Sequence, residues 1–204
     1  SDLPLFPDVP TLDEVGLKIG LEQAERTARL LAREEINAIY SSDLFRAVQT
    51  AEPLAKLLNL KINKSKAFRE RNVGVLEGLT FDECKEKYPR DYYALVHRHV
   101  NYAITGGESY RQLLRRVSGE LRQILRKHPS ERVAVFSHTG VLCYLTLFLV
   151  GAIQRDTKQT PWIITSNCGI NRFEIRARTN VRVLAINDTR HLAEITGNDS
   201  FAAR

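Results

Sequence analysis

The chain has 204 residues, of which 43% are hydrophobic and 26% are charged, so it is long enough to build one sizeable core without splitting into separate domains. No apolar run approaches the roughly 18 residues of a membrane span, and no secretory signal is visible. The net charge is +6, but its positive residues are spread among acids rather than gathered into a stripe. We therefore expect neither a nucleic-acid partner nor a membrane partner.

Cysteine usage predicts the compartment. The three cysteines, Cys84, Cys143 and Cys168, are odd in number and form no C-x-x-C pair. This pattern favours a reducing, cytoplasmic environment over a disulfide framework, and it argues against a zinc site. The oligomeric state is left open, with a homodimer among the options.

Apolar periodicity predicts strands that alternate with helices. Residues 1–11 are proline-rich and irregular, and the elements after them are, in chain order, helix 20–34, strand 36–40, helix 46–58, an extended piece at 60–63, a turn-rich segment at 68–79, helical or irregular material at 81–99, helix 108–127, strand 132–137, a helix ending at 150, and a hairpin of strands 169–176 and 181–187. This alternation predicts an α/β fold, a three-layer sandwich whose mostly parallel central sheet carries helices on both faces.

Residues 40–51 read YSSDLFRAVQTA and join the first predicted strand to the next helix. Ser42 or Asp43 can accept hydrogen bonds from the first helix amides, and this helix end favours anions through its partial positive charge. Arg46 lies in the first helical turn, at the carboxyl edge of a strand, where an arginine is suited to hold phosphate. The residues alone leave an ordinary capped helix with a solvated arginine as the alternative.

His138 follows the predicted buried strand and precedes Thr139, Gly140 and an apolar helix. Ligands of α/β sheets bind beyond the carboxyl ends of the strands, so this imidazole and Arg46 should approach the same rim. The amides after His138 can face an anion there. The alternative is a histidine that only stabilises a turn, and it fits the other four histidines, His97, His99, His128 and His191.

The segment 68–79 places two acids and two glycines in a loop. Glu70, which lies between two arginines, could be a salt-bridged surface acid or a proton donor whose neighbours tune its pKa. Glu77 could instead cap or orient the loop. Residues 106–109, Gly-Gly-Glu-Ser, predict the entry to the long helix, and their glutamate or serine could also reach the rim.

Six short motifs occur along the chain in a fixed order: G-x-x-Q-A at 20–24, YSSDLFRAVQTA at 40–51, FRERNVGVLEGL at 68–79, GGES at 106–109, FSHTG at 136–140 and NDTRHL at 187–192. In order and spacing they resemble the histidine phosphatase superfamily, the phosphoglycerate-mutase-like proteins. The resemblance runs from about residue 1 to 192. Residues 1–204 are therefore expected to form a single domain of this family.

The resemblance implies a phosphatase that needs no metal and no other cofactor. In this family a histidine attacks phosphorus, a carboxylic acid protonates the leaving oxygen, and water then releases phosphate from the phosphohistidine. Matched residue by residue, Glu70 resembles the acid/base and His138 the second histidine of the pocket, both catalytic. Arg46 resembles the second phosphate-clamping arginine, and Thr139, where the family often has glycine, can still bind substrate through its amide. An arginine fork and a histidine cation both suit charge on phosphoryl oxygens.

One family motif is missing. The nucleophile of the family lies in an Arg-His-Gly triplet at the end of its first strand, and neither Arg-His pair of this chain, at 98–99 and 190–191, is followed by glycine. The resemblance predicts that this strand lies between the strands ending at Tyr40 and Ser137, so a domain lacking it would leave two apolar edges unpaired. We therefore hypothesise that the strand exists in the real molecule. The absence of methionine fits a processed end at Ser1, a start partway through a longer product, or modified methionines omitted from the sequence.

The expected function is hydrolysis of a small phosphorylated metabolite. A phosphoglycerate-type phosphomutase is the nearest alternative, but the interval between Glu70 and Gly106 leaves little room for the longer insertions of mutases. A non-catalytic phosphate-binding or scaffold protein is the alternative from another class, and it would hold if Ser1 is the true start. The residues that select the substrate belong to variable loops such as 90–102 and 154–162, so the substrate itself cannot be assigned.

Overall fold

The computed structural model describes residues 14–177 and 180–195, and the proline-rich segment 1–11 lies outside them. Its main elements are α1 (Glu14–Leu31), β1 (Ile36–Ser42), α2 (Phe45–Leu58), β2 (Ile62–Ser65), α3 (Phe81–Lys87), α4 (Pro89–Val96), α5 (Tyr110–Lys127), β3 (Arg132–Phe136), α6 (Thr139–Leu149), β4 (Ile170–Ala177) and β5 (Asn180–Asp188). Three short 3-10 turns lie at Lys66–Phe68, Gly74–Leu76 and Arg190–Leu192. The predicted order of helices and strands is confirmed, and the segment left as helical or irregular forms α3 and α4.

The central sheet is parallel, with the strand order β2-β1-β3. β1 pairs directly with β3, so that Ile39 lies opposite Ala134 and Ser41 opposite Phe136. The prediction of a missing strand between these two was therefore wrong. Their backbone donors and acceptors satisfy each other, which leaves no unpaired edge at that position.

Alternate residues of the sheet pack against helices on opposite faces. Ile39 and Ala134 pack with α1 and α2 on one side. Ala38 and Tyr40 belong to the larger core beneath α5 and α6 on the other. This two-sided burial explains the apolar strands and gives the predicted layered α/β arrangement. Within residues 14–177 and 180–195, no helix is long and apolar enough to cross a membrane.

The predicted hairpin forms as the antiparallel pair β4–β5, with the turn residues 178–179 outside the described part of the chain. This pair is a separate sheet, not hydrogen-bonded to the parallel one. A cleft of about 3480 Å³ is lined by both β3 and β4. Small-molecule pockets usually measure about 300–1,000 Å³, so this cleft is larger than a small ligand needs. Among the described residues, β3 and β4 each pair with one strand only, and each therefore has one edge without a partner strand.

Candidate active site

The carboxyl ends of β1 and β3 meet at one edge of the sheet, because the two strands are parallel neighbours. β1 leads into α2 there, and β3 leads into α6. Arg46, Glu70, His138 and Thr139 all line the same cleft. The four residues thus line one cleft, and Arg46 lies close enough to Glu70 and His138 for its charge to act on both.

His138 is the residue just before α6, and only 8% of it is exposed. Its Nε2 lies 2.9 Å from Oγ of Ser42, the last residue of β1, which holds the ring at the strand end. Burial, followed by the positive charges of Arg46 and Arg116, lowers the pKa of His138 from 6.5 to about 3. The ring is therefore neutral at neutral pH in the free protein, whereas the family resemblance predicted a cation.

Glu70 has both carboxyl oxygens engaged by backbone amides. The Arg71 amide donates to Oε1 at 2.8 Å, and the Gly140 amide at the start of α6 donates to Oε2 at 2.9 Å. Burial raises the pKa of Glu70, while the two amides and the charges of Arg46 and Arg116 act in the opposite direction. A raised pKa suits a carboxyl that must carry a proton to a leaving group.

Gly140 allows this close approach of the acid to α6. A Cβ added at Gly140 would collide with Oε1 of Glu70 and would lie 3.1 Å from its Cδ. Any larger residue would therefore displace the carboxyl from the helix amide. Glu77, the other acid of the loop, is exposed and ends a short 3-10 turn, which leaves Glu70 as the acid held at the rim.

Arg116, on α5, braces the loop that carries Glu70, and the sequence analysis did not identify it. Its Nη1 donates to the carbonyl oxygens of Ala67 and Arg69 at 2.7 Å each, and its Nη2 donates to that of Glu70 at 3.0 Å. Glu108, the acid of the GGES motif, accepts from Arg116 Nε at 3.1 Å and from Nη2 at 2.5 Å. One guanidinium thus ties the acid loop to the long helix.

Close backbone contacts with the Gly-Gly-Glu-Ser segment also hold the loop that carries Glu70. Gly74 adopts a left-handed conformation, with φ of +52°. A Cβ there would collide with backbone atoms of Thr105 and Gly107. The Glu108 amide donates to the Asn72 carbonyl at 2.9 Å. The two Gly-containing motifs are therefore docked on each other, which holds Glu70 in place.

Arg46 lies in the first turn of α2, and its exposed side chain lines the cleft. Ser42 was expected to accept from an amide at this helix start, and its Oγ accepts from the amide of Leu44, the N-cap residue, at 3.3 Å. No side chain caps the amides inside α2. The Asp43 carboxylate instead binds Arg69, which donates two hydrogen bonds of 2.7 Å to it. This ion pair lowers the pKa of Asp43. It also joins the loop after β1 to the acid loop.

Two of the remaining histidines bind side chains of other elements, which goes beyond the turn contacts expected for them. Tyr40 Oη lies 2.9 Å from His128 Nε2, and Glu131 lies 2.6 Å from Nδ1 of the same ring. His191 Nε2 lies 2.9 Å from Oγ1 of Thr27, which connects the end of the hairpin to α1.

Comparison with known proteins identifies the family. A model of the histidine phosphatase superfamily, branch 1, matches residues 14–189. Phosphoserine phosphatase 1 of Hydrogenobacter thermophilus is 32% identical over 185 residues, covering 91% of this chain and 84% of that protein. The metal-independent phosphoserine phosphatase of Arabidopsis thaliana is 42% identical over 133 residues, but these cover 64% of this chain and only 55% of that protein.

A solved structure shows the same fold. Bacillus stearothermophilus YhfR has a TM-score of 0.75 at 25% identity, with 86% of this chain and 85% of that chain covered. The predicted fold class is therefore confirmed, and so is the predicted family. The chain belongs to the histidine phosphatase superfamily, branch 1.

Proposed function

We propose that this protein is a phosphatase that hydrolyses a small phosphorylated metabolite without a metal ion. The observation that carries the proposal is the hydrogen bond of 2.9 Å that holds Glu70 against the Gly140 amide, in the cleft that Arg46 and His138 also line. A proton donor beside cationic and N–H groups can protonate the leaving oxygen of a phosphate ester, while those groups stabilise the charge on the other phosphoryl oxygens. The names of the two phosphoserine phosphatases above support the same activity.

The residues divide into two roles. Arg46, the Thr139 amide and the His138 ring would hold the phosphoryl oxygens and stabilise their charge. Glu70 would give its proton to the leaving oxygen while a nucleophilic histidine forms a bond to phosphorus and the phosphorus–oxygen ester bond breaks. Water would then attack the phosphohistidine, with the Glu70 carboxylate taking a proton from it, so that inorganic phosphate leaves and the histidine is restored.

The cleft between β3 and β4 supports the place we propose for the nucleophile. Among the described residues, both strands line this cleft, and each has one edge that is not paired with another strand. β3 leads directly to Ser137 and His138 at the rim. A strand that fills the cleft parallel to β3 would satisfy both edges and would end beside His138, where an Arg-His-Gly triplet could reach the phosphoryl group.

Hydrolysis is preferred to phosphoryl transfer between sugar-acid positions. The interval in which mutases carry longer insertions holds one 3-10 turn and the short helices α3 and α4 before Gly106. Asp91 of α4 binds both the amide and the hydroxyl of Thr105, at 2.8 and 3.0 Å, which keeps this interval compact. A mutase would isomerise a phosphoglycerate in the presence of a bisphosphate donor, whereas the phosphatase proposed here releases inorganic phosphate.

The test is phosphate release across a panel of phosphorylated metabolites and p-nitrophenyl phosphate, with a chelator present. We expect turnover of at least one metabolite, with no added metal. Isomerisation without phosphate release would show a mutase. Phosphate binding with no turnover of any compound would show a non-catalytic phosphate-binding protein.

A further inference from the structure

Arg71 is a buried cation that the chemistry described so far does not use. Only 6% of it is exposed, and it lines the same cleft as Glu70. Within the described part of the chain, neither Nε nor Nη1 has a hydrogen-bond partner, although both are buried. An unpaired buried charge is costly, and native proteins rarely retain one without a function.

The guanidinium of Arg71 is held against an aromatic platform. It lies 3.8 Å from the ring centroid of Tyr110, which stacks on Tyr144 at 4.4 Å. Tyr110 also meets Trp162 edge to face at 6.3 Å, and Arg98 lies 5.7 Å from the Trp162 ring. Cation–π contacts of this kind orient a guanidinium but leave its N–H groups available.

Arg98 is a second cation directed to this region. Its backbone is left-handed, with φ of +52°, a conformation that is uncommon for residues other than glycine. The bond from the His99 amide to the Ala94 carbonyl, at 3.0 Å, holds the turn. Arg98 and Trp162 both line the cleft. Two arginines on a shared aromatic surface therefore face one part of it.

We propose that Arg71, assisted by Arg98, binds a second anionic group of the substrate, either a carboxylate or a further phosphoryl group. The inference rests on the proposed phosphatase function and deepens it. Arg71 directly follows the acid that protonates the leaving oxygen, and the charges of both residues act on Tyr110, so the guanidinium and the acid lie in the same part of the cleft. The second anion is thus on the leaving group, and the released alcohol is itself an acid or a phosphate ester.

Matched substrates test this directly. O-phosphoserine carries a carboxylate that O-phosphoethanolamine lacks, and 3-phosphoglycerate carries one where glycerol 3-phosphate has a hydroxymethyl group. A sugar bisphosphate compared with its monophosphate tests a second phosphoryl group. We expect kcat/KM of the wild-type protein to favour one class of doubly anionic substrate by at least about tenfold, since a site built around a buried polar group discriminates strongly. Arg71→Met should reduce that ratio at least about tenfold, with the loss falling on the doubly anionic member.

The control is Arg115→Met, the same change at an exposed arginine on α5, which should leave the ratio unchanged. Arg71→Met should also keep its melting temperature, because it removes an unpaired buried charge, and Arg71→Gln serves as a second variant. Equal ratios in the wild type and both Arg71 variants, or no preference in the wild type, would overturn the inference.

Binding calorimetry with the same pairs separates this inference from the proposed function. If no compound is hydrolysed, p-nitrophenyl phosphate included, the phosphatase proposal fails. Tighter binding of the doubly anionic member that disappears in Arg71→Met would still support the Arg71 site. Equal binding of both members would overturn it.

Discussion

The His138 ring is neutral in the free protein, because burial and two nearby arginines oppose its protonation. The positive charge at the free site is therefore carried by arginine, above all by the exposed Arg46 at the start of α2. In the proposed mechanism the histidine contributes a ring, positioned by Ser42, that stabilises charge on the phosphoryl oxygens.

Removing either group should be costly for turnover. We expect Arg46→Ala and His138→Ala each to lower kcat by at least about tenfold, since each deletes a group that stabilises charge in the transition state. Steady-state kinetics on the best substrate measures this. Arg29→Ala is the control, because Arg29 is an exposed partner of Glu25 on α1. Wild-type kinetics in either site variant would show that the assignment of these residues is wrong.

Glu70→Gln should affect substrates unequally. A leaving group of low basicity needs little protonation, so p-nitrophenyl phosphate should lose little phosphorylation rate compared with an alkyl phosphate. Single-turnover rates on the two substrate types provide the comparison. Equal losses on both would count against Glu70 as the proton donor.

Protonation of His138 should appear in the pH dependence of stability. Its folded pKa of about 3 lies below the ordinary 6.5, so the unfolded chain binds more protons and the folded state loses stability as pH falls from about 6.5 toward 3. His138→Gln lacks this loss. Between pH 7 and pH 4 the free energy of unfolding of the wild type should fall by up to about 3 kcal/mol more than that of the variant. Urea unfolding at several pH values measures it, and parallel curves would contradict the shift.

Arg116 on α5 makes the acid loop a single unit with the long helix, through three carbonyl oxygens and Glu108. In the proposed mechanism this loop has to be held accurately, because it carries Glu70, the proposed proton donor. A lysine at 116 would keep the charge but lose the planar fork that reaches these acceptors together.

Arg116→Lys should therefore reproduce the leaving-group dependence of Glu70→Gln in weaker form. We expect a several-fold loss of kcat with alkyl phosphates and a smaller loss with p-nitrophenyl phosphate. The neighbouring exposed Arg115→Lys is the matched control. A uniform loss on both substrates, or none, would mean that Arg116 serves stability alone.

At the scale of elements, local patterns in the sequence predicted most of what is seen. The strand–turn–helix segments around Arg46 and His138 form where periodicity and turn residues place them. The prediction at the start of α2 holds only for the Leu44 amide, which donates to Ser42 Oγ. Asp43 binds Arg69 and Ser42 also binds His138, and these partners are distant in sequence. Arg116 gave no signal because its acceptors are mainly backbone carbonyls, which any residue provides.

At the scale of the whole molecule, the parallel sheet was predictable but its strand order was not. Alternating strands and helices fix a layered α/β fold, yet which strands are neighbours depends on contacts between distant segments. β1 and β3 are neighbours, and β3 and β4 both line the cleft. The apolar β3 was predicted to be covered on both faces, and the structure adds that one of its edges faces the cleft.

The most direct test of the central claim is detection of the covalent intermediate. The protein is mixed with a substrate that it turns over, quenched rapidly in alkaline denaturant, and analysed by intact mass and fragmentation. We expect a protein heavier by one phosphoryl group, carried on the histidine of the proposed Arg-His-Gly triplet, and less of this species in Arg46→Ala. Continued turnover with no phosphorylated protein, or a phosphoryl group on His138 itself, would contradict it.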